Sequence, residues 1–388
     1  MKKRFLVLCF LPIFLIGCGA SNRVYSTSDD YLIDSSSNCD SSVSNSFFSS
    51  DFHQTYSFST ASSDAHKDNN LSDTFIDNEP SWKKQINEKI DILKTLQNKT
   101  NKSEIYLFFT DPHCFLPTRD NYIDVPKLQS YFEILNYAFF SSSSQFVVCG
   151  GDLLNNADTK SQALFKVETF LAMMRKTFEE SYYLVGNHDT NYQGDTYIDN
   201  GDWVSCMLDQ KTINDSFFNG DKSYYSFDTF TTKHYCFDSG IEWGDDTMGA
   251  YRWEQIDWFA NDLLLNDKPH ISLYIHMALN TSGTSLSDFA TNIGTIISAF
   301  NSKTDIILNT KRYDFSKASG TIEYVQSGHN HKDILGFLCG GIPLIVTTSF
   351  SSPEAVSRPT FDIVFSDYSN SKIHFLRIGD GEDRTVNL

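Results

Sequence analysis

A set of short apolar segments that each end abruptly in polar residues limits the folds that this chain can adopt. Five of them are rich in aromatic and β-branched side chains and are followed directly by Asp, His, Asn, Gly or a short polar turn: Ile105–Phe109, Phe146–Cys149, Tyr182–Val185, Ile271–Ile275 and Ile322–Val325. Because an apolar run of this length is typical of a strand buried on both faces, we predict five central β-strands.

Helical patterns separate these strands. Apolar residues recur every three to four positions over 82–100, 164–178 and 253–263. Strands that alternate with helices indicate an α/β fold. Further apolar runs add more strands than one modest sheet would hold: Tyr224–Phe227, His234–Phe237, Pro343–Val346, Phe361–Phe365 and Ile373–Leu376. We therefore predict two packed mixed β-sheets flanked by helices.

The polar residues that follow the five strands are the candidate functional residues. Asp111 and His113 stand two positions apart, so on an extended chain both side chains leave the same face and can hold one ion. His329 and His331 repeat this spacing after the last strand. The other candidates, one after each remaining strand, are Asp152, Asn187 and His276. Because the carboxyl ends of strands in α/β sheets meet at one crevice, we predict a single site.

The residue types in this set indicate a metal centre. Carboxylate, amide and imidazole ligands without a thiolate suit Zn, Mn or Fe. A carboxylate such as Asp152 has two oxygens and can bridge two cations. Two divalent cations would outweigh the charges of Asp111 and Asp152, so the pocket would attract a phosphate anion although the chain carries a net charge of −18. Such a pair also activates water for an in-line displacement.

The motifs and their order resemble those of the calcineurin-like metallophosphoesterase superfamily. They are Asp-x-His at 111–113, Gly-Gly-Asp at 150–152, Gly-Asn-His-Asp at 186–189, the single His276 and Gly-His-Asn-His at 328–331. The resemblance covers about residues 104–380 and implies a four-layer αββα sandwich. It also implies a phosphoesterase, of monoesters or diesters, that uses two divalent metal ions and a metal-bound hydroxide as the nucleophile.

The resemblance assigns a role to each candidate residue. The ligands of the first cation would be Asp111, His113 and His331. The ligands of the second would be Asn187, His276 and His329, and Asp152 would bridge the two. His188 would sit beside the substrate phosphate as a catalytic residue, oriented by Asp189. Arg252 is a further candidate for contact with the substrate, and a solvated surface arginine is an equal reading.

Two other functions remain open at this point. A surface lipoprotein could keep the fold only to bind a partner, in which case ligand residues should be missing, and all seven are present. A metal-dependent nuclease should carry a basic groove, which the net charge of −18 disfavours. The expected substrate is therefore a small phosphorylated molecule rather than a nucleic acid.

The first residues predict the location of the protein. Lys2-Lys3-Arg4 precede twelve apolar residues, Phe5–Ile16, which are too few to span a bilayer core that needs about 20. The end of this segment, Leu15-Ile16-Gly17-Cys18, resembles the lipobox of bacterial lipoproteins. That resemblance implies a signal peptide at 1–17, fatty acylation of Cys18, palmitate included, and a lipid anchor on the extracytoplasmic face of a bacterial cell membrane.

The segment after Cys18 differs in composition from the rest. Residues 21–80 contain seventeen Ser and ten acidic residues against two basic ones. Such a polar segment buries too little apolar surface to offset its ordering entropy. We therefore predict a flexible tether at 18–81 and a phosphoesterase domain at 82–388.

Overall fold

A computed structural model of the protein describes residues 80–100, 102–114, 125–154, 157, 159–190, 198, 200–209, 223–239, 251–279, 289–351 and 359–388. The predicted signal peptide, Cys18 and almost all of the predicted tether lie outside the described residues. No helix among the described residues is both long enough and apolar enough to cross a bilayer.

The described residues form six α-helices and fourteen β-strands. The helices are α1 (Ser81–Gln97), α2 (Val125–Ser142), α3 (Lys160–Thr177), α4 (Asn200–Asp209), α5 (Trp253–Leu264) and α6 (Gly294–Ser302). The strands are β1 (Ser103–Phe109), β2 (Phe146–Cys149), β3 (Ser181–Tyr183), β4 (Tyr225–Asp228), β5 (Thr232–Phe237), β6 (His270–Ile275), β7 (Asp305–Leu308), β8 (Lys311–Asp314), β9 (Thr321–Ser327), β10 (Ile334–Phe337), β11 (Pro343–Val346), β12 (Phe361–Asp367), β13 (Lys372–Ile378) and β14 (Arg384–Asn387).

Two six-stranded sheets form the centre of the fold. The first has the order β14-β13-β12-β1-β2-β3, in which β1, β2 and β3 are parallel. The second has the order β10-β11-β9-β6-β5-β4, in which β11, β9, β6 and β5 are parallel. The antiparallel neighbours β12, β10 and β4 make both sheets mixed. The strands β7 and β8 form a separate ribbon.

Aromatic side chains fill the space between the two sheets. Tyr182 of β3 stacks on Phe227 of β4 with a ring separation of 3.5 Å, and Tyr106 of β1 meets Tyr274 of β6 edge to face at 5.9 Å. Stacked and edge-on pairs of this kind add to the stabilisation from apolar burial. Helices α1, α2 and α3 contribute to the core of the first sheet, while α5 and α6 cover the second. The predicted four-layer αββα architecture is confirmed.

A buried carboxylate–imidazole pair also joins the two sheets. The Oε1 atom of Glu104, in β1, lies 3.1 Å from Nε2 of His234, in β5, and both residues are buried. The hydroxyl of Thr229 donates a hydrogen bond to the other carboxylate oxygen. Burial raises the pKa of Glu104, but the neighbouring His234 and the hydrogen bonds outweigh it, so the pKa lies below the ordinary value of 4.5.

We expect Glu104→Gln to lower the free energy of unfolding by about 2 kcal/mol at neutral pH, because an amide cannot replace the buried carboxylate that faces His234 and accepts from Thr229. Since the pKa of Glu104 is lowered in the folded state, its contribution is present above the unfolded pKa and is lost as the pH falls through the folded pKa. In urea unfolding, the difference in free energy of unfolding between Glu104→Gln and the unmodified protein should therefore become smaller as the pH falls. Glu133→Gln, at an exposed position, is the control. An equal decrease in the free energy of unfolding of the two variants at neutral pH would contradict the role of the pair.

Candidate metal centre

Five parallel strands from the two sheets carry the candidate ligands to one edge. The polar segments follow β1, β2 and β3 in the first sheet and β6 and β9 in the second. Backbone hydrogen bonds fasten the first two segments together, because the amide of His113 donates to the carbonyl of Asp152 at 3.0 Å and that of Asp111 donates to Gly151. The carboxyl ends of both sheets thus meet as the sequence predicts.

The first group of ligand atoms belongs to Asp111, His113 and His331. Their ligand atoms all lie within 4.8 Å of one another. Nε2 of His331 is 3.1 Å from Oδ1 of Asp111 and 2.9 Å from Nε2 of His113. The same oxygen of Asp111 is 3.7 Å from Nε2 of His113. These three side chains surround a space of the size that one cation needs.

The second group is formed by Asp152, His276 and His329, again with ligand atoms within 4.8 Å of one another. Oδ2 of Asp152 lies 3.1 Å from Nε2 of His276. Oδ1 of Asn187 lies 3.1 Å from Nδ1 of His329, which brings the amide to the same place. Oδ2 of Asp152 is also 3.7 Å from Nε2 of His113, so this carboxylate is within reach of both groups.

The hydrogen bonds of the histidines fit two bound divalent cations. Nδ1 of His276 donates to the carbonyl of Gly150 at 2.7 Å, which directs Nε2 at the carboxylates. Nε2 of His276 is buried and faces Oδ2 of Asp152 at 3.1 Å. Nδ1 of His329 likewise faces Oδ1 of Asn187 at 3.1 Å, so each imidazole approaches an oxygen with which it could share a cation.

The charges of the buried side chains also favour the binding of cations in this crevice. Burial raises the pKa of Asp111 and of Asp152, yet the surrounding histidines lower both below the ordinary value. Burial lowers the pKa of His276, but Asp152 and Asp111 outweigh it and raise the pKa to about 10. Two ionised carboxylates in a buried crevice therefore create a negative potential that attracts positive charge, whether a proton or a metal cation.

The backbone of the ligand segments differs from the sequence prediction. The spacing of Asp111 and His113, and of His329 and His331, was interpreted as an extended chain with both side chains on one face. That interpretation is wrong: all four residues have positive φ, between 44° and 71°, as does Asp152 at 54°. Left-handed backbone, which costs a non-glycine residue of order 1 kcal/mol or more, turns these side chains into the crevice. His329 and His331 accordingly belong to different ligand groups.

Asp189 contacts the backbone of two ligand segments. Its carboxylate accepts hydrogen bonds from the amides of Gly186, Leu153 and Leu154 at 2.9, 2.7 and 3.3 Å. Burial and the neighbouring Asp152 raise the pKa of Asp189 to about 8. These contacts join the segment after β2 to the segment after β3, so the residue fixes the spacing of Asp152 and Asn187. The orientation of His188 by Asp189 stays a prediction.

His188 lies against the first ligand group. Its amide donates to Oδ1 of Asp152 at 2.9 Å, and its ring meets the ring of His113 edge to face at 4.8 Å. One imidazole nitrogen of His188 lies within 4.8 Å of ligand atoms of His113 and Asp152. Burial lowers the pKa of His188 to about 4, although Asp152 opposes this.

Arg252 has an acidic neighbour. Its guanidinium lies 3.4 Å from Oδ2 of the buried Asp238 and over the ring of Tyr224 at 5.9 Å. The predicted contact with substrate remains a prediction.

Sequence reasoning missed Ser349, whose hydroxyl donates to the carbonyl of Asp111 at 2.7 Å and supports that strained turn. The signal was available, because β11 ends in the polar residues 347–349 just as the other strands do.

Comparisons with known proteins identify the family to which the chain is similar. A family model described as calcineurin-like phosphoesterase matches residues 106–333. Among solved structures, a dimetal phosphatase from Danio rerio is 13% identical with a TM-score of 0.54, covering 73% of this chain and 98% of that one. A purple acid phosphatase from yellow lupin (Lupinus luteus) seeds is 12% identical with a TM-score of 0.47, and the match covers 74% of this chain and 54% of that one. The calcineurin-like phosphoesterase YfkN from Bacillus subtilis is 13% identical with a TM-score of 0.40, and the match covers 74% of this chain and 88% of that one. No curated protein matches the chain by sequence.

Proposed function

We propose that this chain, which belongs to the calcineurin-like phosphoesterase family and is a metal-dependent phosphoesterase, hydrolyses small phosphate esters outside the cytoplasm while anchored to a membrane. One observation carries the catalytic part of the proposal. The carboxylate of Asp152 lies 3.7 Å from Nε2 of His113 and 3.1 Å from Nε2 of His276, so one side chain reaches the ligands of both cations.

The proposed ligand sets follow the two groups of side chains. Asp111, His113 and His331 would hold one cation, and Asn187, His276 and His329 the other, with Asp152 shared. Two such cations, when bound, lower the pKa of water and stabilise the negative charge that develops during displacement at phosphorus. Mn, Fe and Zn all suit this mixture of nitrogen and oxygen ligands.

The protein side chains supply positions and protons. Asp189 holds the two segments that carry Asp152 and Asn187 at a fixed separation. The ring of His188, set beside His113 and tied to Asp152 through its backbone, is proposed to donate a hydrogen bond to the phosphate in its neutral form, in keeping with a pKa of about 4. Protonation of the leaving-group oxygen, the other role that the resemblance implies, would need a higher pKa than this. Gly150 keeps His276 in one ring orientation through its carbonyl.

The charge of the protein favours small substrates. A net charge of −18 repels long polyanions, whereas a single phosphate group can enter a crevice whose local charge is set by two cations. Duplex nucleic acid is therefore ranked below phosphorylated metabolites and phosphate groups of lipids or cell-wall polymers.

A screen of phosphate release tests the proposal. The purified chain, stripped with a chelator and reloaded with Mn²⁺, Fe²⁺ or Zn²⁺, would be given an aryl phosphate, a bis-aryl phosphate and an aryl pyrophosphate. We expect metal-dependent release from at least one of them and recovery of activity on reloading. A protein that binds none of the metals and cleaves none of the substrates would favour the non-catalytic alternative. Cleavage of DNA with strong salt dependence would favour the nuclease.

The location rests on the N-terminal sequence. We propose that Cys18 carries the lipid anchor and that residues 18–81 hold the domain away from the membrane. In a bacterial host, Cys18→Ser is expected to shift most of the protein from the membrane fraction and to abolish labelling with a radioactive palmitate, while Cys206→Ser, in α4, leaves both unchanged. Continued labelling of the Cys18→Ser variant would refute the anchor.

A further inference from the structure

The turn between β13 and β14 encloses the side chain of Asp333, which stands two residues after His331. Arg384 contacts the Asp333 carboxylate at both oxygens, with Nη2 to Oδ2 at 2.6 Å and Nε to Oδ1 at 3.2 Å. Nη1 of Arg377 lies 3.3 Å from Oδ1, and the amide of Glu382 donates to Oδ2 at 2.9 Å. We refer to Asp333, Arg377, Gly381 and Arg384 as the Asp333 clamp.

We infer that the Asp333 clamp positions the segment that carries His329 and His331, so that residues near the C-terminus set the affinity of the metal centre. The inference rests on the proposed function, because it assigns the clamp a role through the proposed ligand His331. It makes Asp333, Arg377 and Arg384 positioning residues, which act on the reaction only through His331.

Arg377 ties the clamp to the core of the first sheet. Its side chain is 1% exposed and forms two hydrogen bonds to the buried Asp362, Nε to Oδ1 at 2.6 Å and Nη2 to Oδ2 at 3.2 Å. Paired bonds of this kind between guanidinium and carboxylate fix orientation as well as distance. Asp362 and Arg377 belong to β12 and β13, whereas His331 follows β9 of the second sheet. The clamp therefore fixes a ligand segment of one sheet to the interior of the other.

Gly381 allows the turn to close around the carboxylate. Its φ is +109°, and a Cβ at this position would lie 2.4 Å from Nη1 of Arg377 and 2.8 Å from Cγ of Asp333. Contacts shorter than 3.0 Å force a displacement, so any side chain at 381 would push the arginine and the aspartate apart. Helix α1 supports the same turn, since Nζ of Lys89 contacts the Asp383 carboxylate at 2.7 Å.

His331 is the proposed ligand with most need of external support. Its side chain is 43% exposed, and its φ of 51° is a strained conformation. Its Nε2 must nevertheless stay within about 3 Å of both Asp111 and His113 to share a cation with them. Removal of groups that orient metal ligands costs about 10–100-fold in metal affinity in other proteins. We expect an effect of this size from loss of the clamp.

Gly381→Ala tests the inference without changing any charge. Its control is Gly341→Ala, which has a similar positive φ of 79° but no atom within 4 Å of the new Cβ. Calorimetric titration of the metal-free proteins with Mn²⁺ should show at least about tenfold weaker binding at one site in Gly381→Ala than in Gly341→Ala. The activity of Gly381→Ala should need more Mn²⁺ but recover most of its kcat at saturating Mn²⁺, which a general loss of folded protein would not allow.

Arg384→Gln provides a second route if Gly381→Ala does not fold. Its control is Arg312→Gln, which breaks the exposed pair of Arg312 with Asp305 in the β7–β8 ribbon. Folded Gly381→Ala or Arg384→Gln protein that is less stable yet binds Mn²⁺ as tightly as its control overturns the inference. Absence of Mn²⁺, Fe²⁺ and Zn²⁺ binding by the unmodified protein would instead overturn the proposed function, and the inference with it.

Discussion

Asp152→Asn is expected to lower the rate of metal-dependent aryl phosphate hydrolysis by at least about a thousandfold. The substitution keeps the size of the side chain but removes a negative charge that lies within 4 Å of ligand nitrogens from both groups. A neutral amide has one good ligand oxygen instead of two equivalent ones, so it cannot hold both cations. Steady-state kinetics at saturating Mn²⁺ would measure the loss.

Asp305→Asn is the matched control for this substitution. Asp305 lies in the β7–β8 ribbon, where its carboxylate pairs with Arg312 at an exposed position. We expect this variant to retain full activity, because exposed pairs of this kind contribute about 0–1 kcal/mol to stability. Activity of Asp152→Asn within tenfold of the Asp305→Asn control would rule out a shared carboxylate at the centre of catalysis.

Gly186→Ala is expected to lower kcat by about a hundredfold without a change of charge. A Cβ on Gly186 would lie 2.1 Å from Oδ1 and 2.4 Å from the backbone nitrogen of Asp152, so the carboxylate has to move. A displacement of about 1 Å at a reacting centre costs about a hundredfold in rate. Gly336→Ala, in β10, is the control, because the nearest atom to its new Cβ is 4.0 Å away. Equal activity of the two variants would show that this glycine is not needed for the position of Asp152.

The central strands were predictable from the sequence because parallel strands buried on both faces are apolar throughout. The run Phe146–Cys149 coincides with β2, and each of the other four predicted strands lies within three residues of an observed one. Helix α2 was not predicted: its residues are apolar on several sides, with Phe140 exposed and Leu135 buried, so they show no clear stripe.

The convergence of the candidate ligands was also predictable, since strand ends in such sheets meet at one edge. The backbone conformation that brings these side chains together was not predictable. Positive φ at Asp111 and His113 depends on contacts made by residues far away in the chain, such as the bond from Ser349 to the carbonyl of Asp111. The Asp333 clamp was not predicted from the sequence for the same reason, because an aspartate and an arginine 51 positions apart form no motif.

The number of metal ions bound per chain shows whether Asp152 is shared by two cations. The metal-free protein and Asp152→Asn would each be titrated with Mn²⁺ and the bound metal counted by mass spectrometry after removal of the excess. We expect two Mn²⁺ per chain in the unmodified protein, one for each of the two proposed ligand sets, and at most one in Asp152→Asn. One ion per chain in both proteins, or two in both, would contradict a centre built around a shared Asp152.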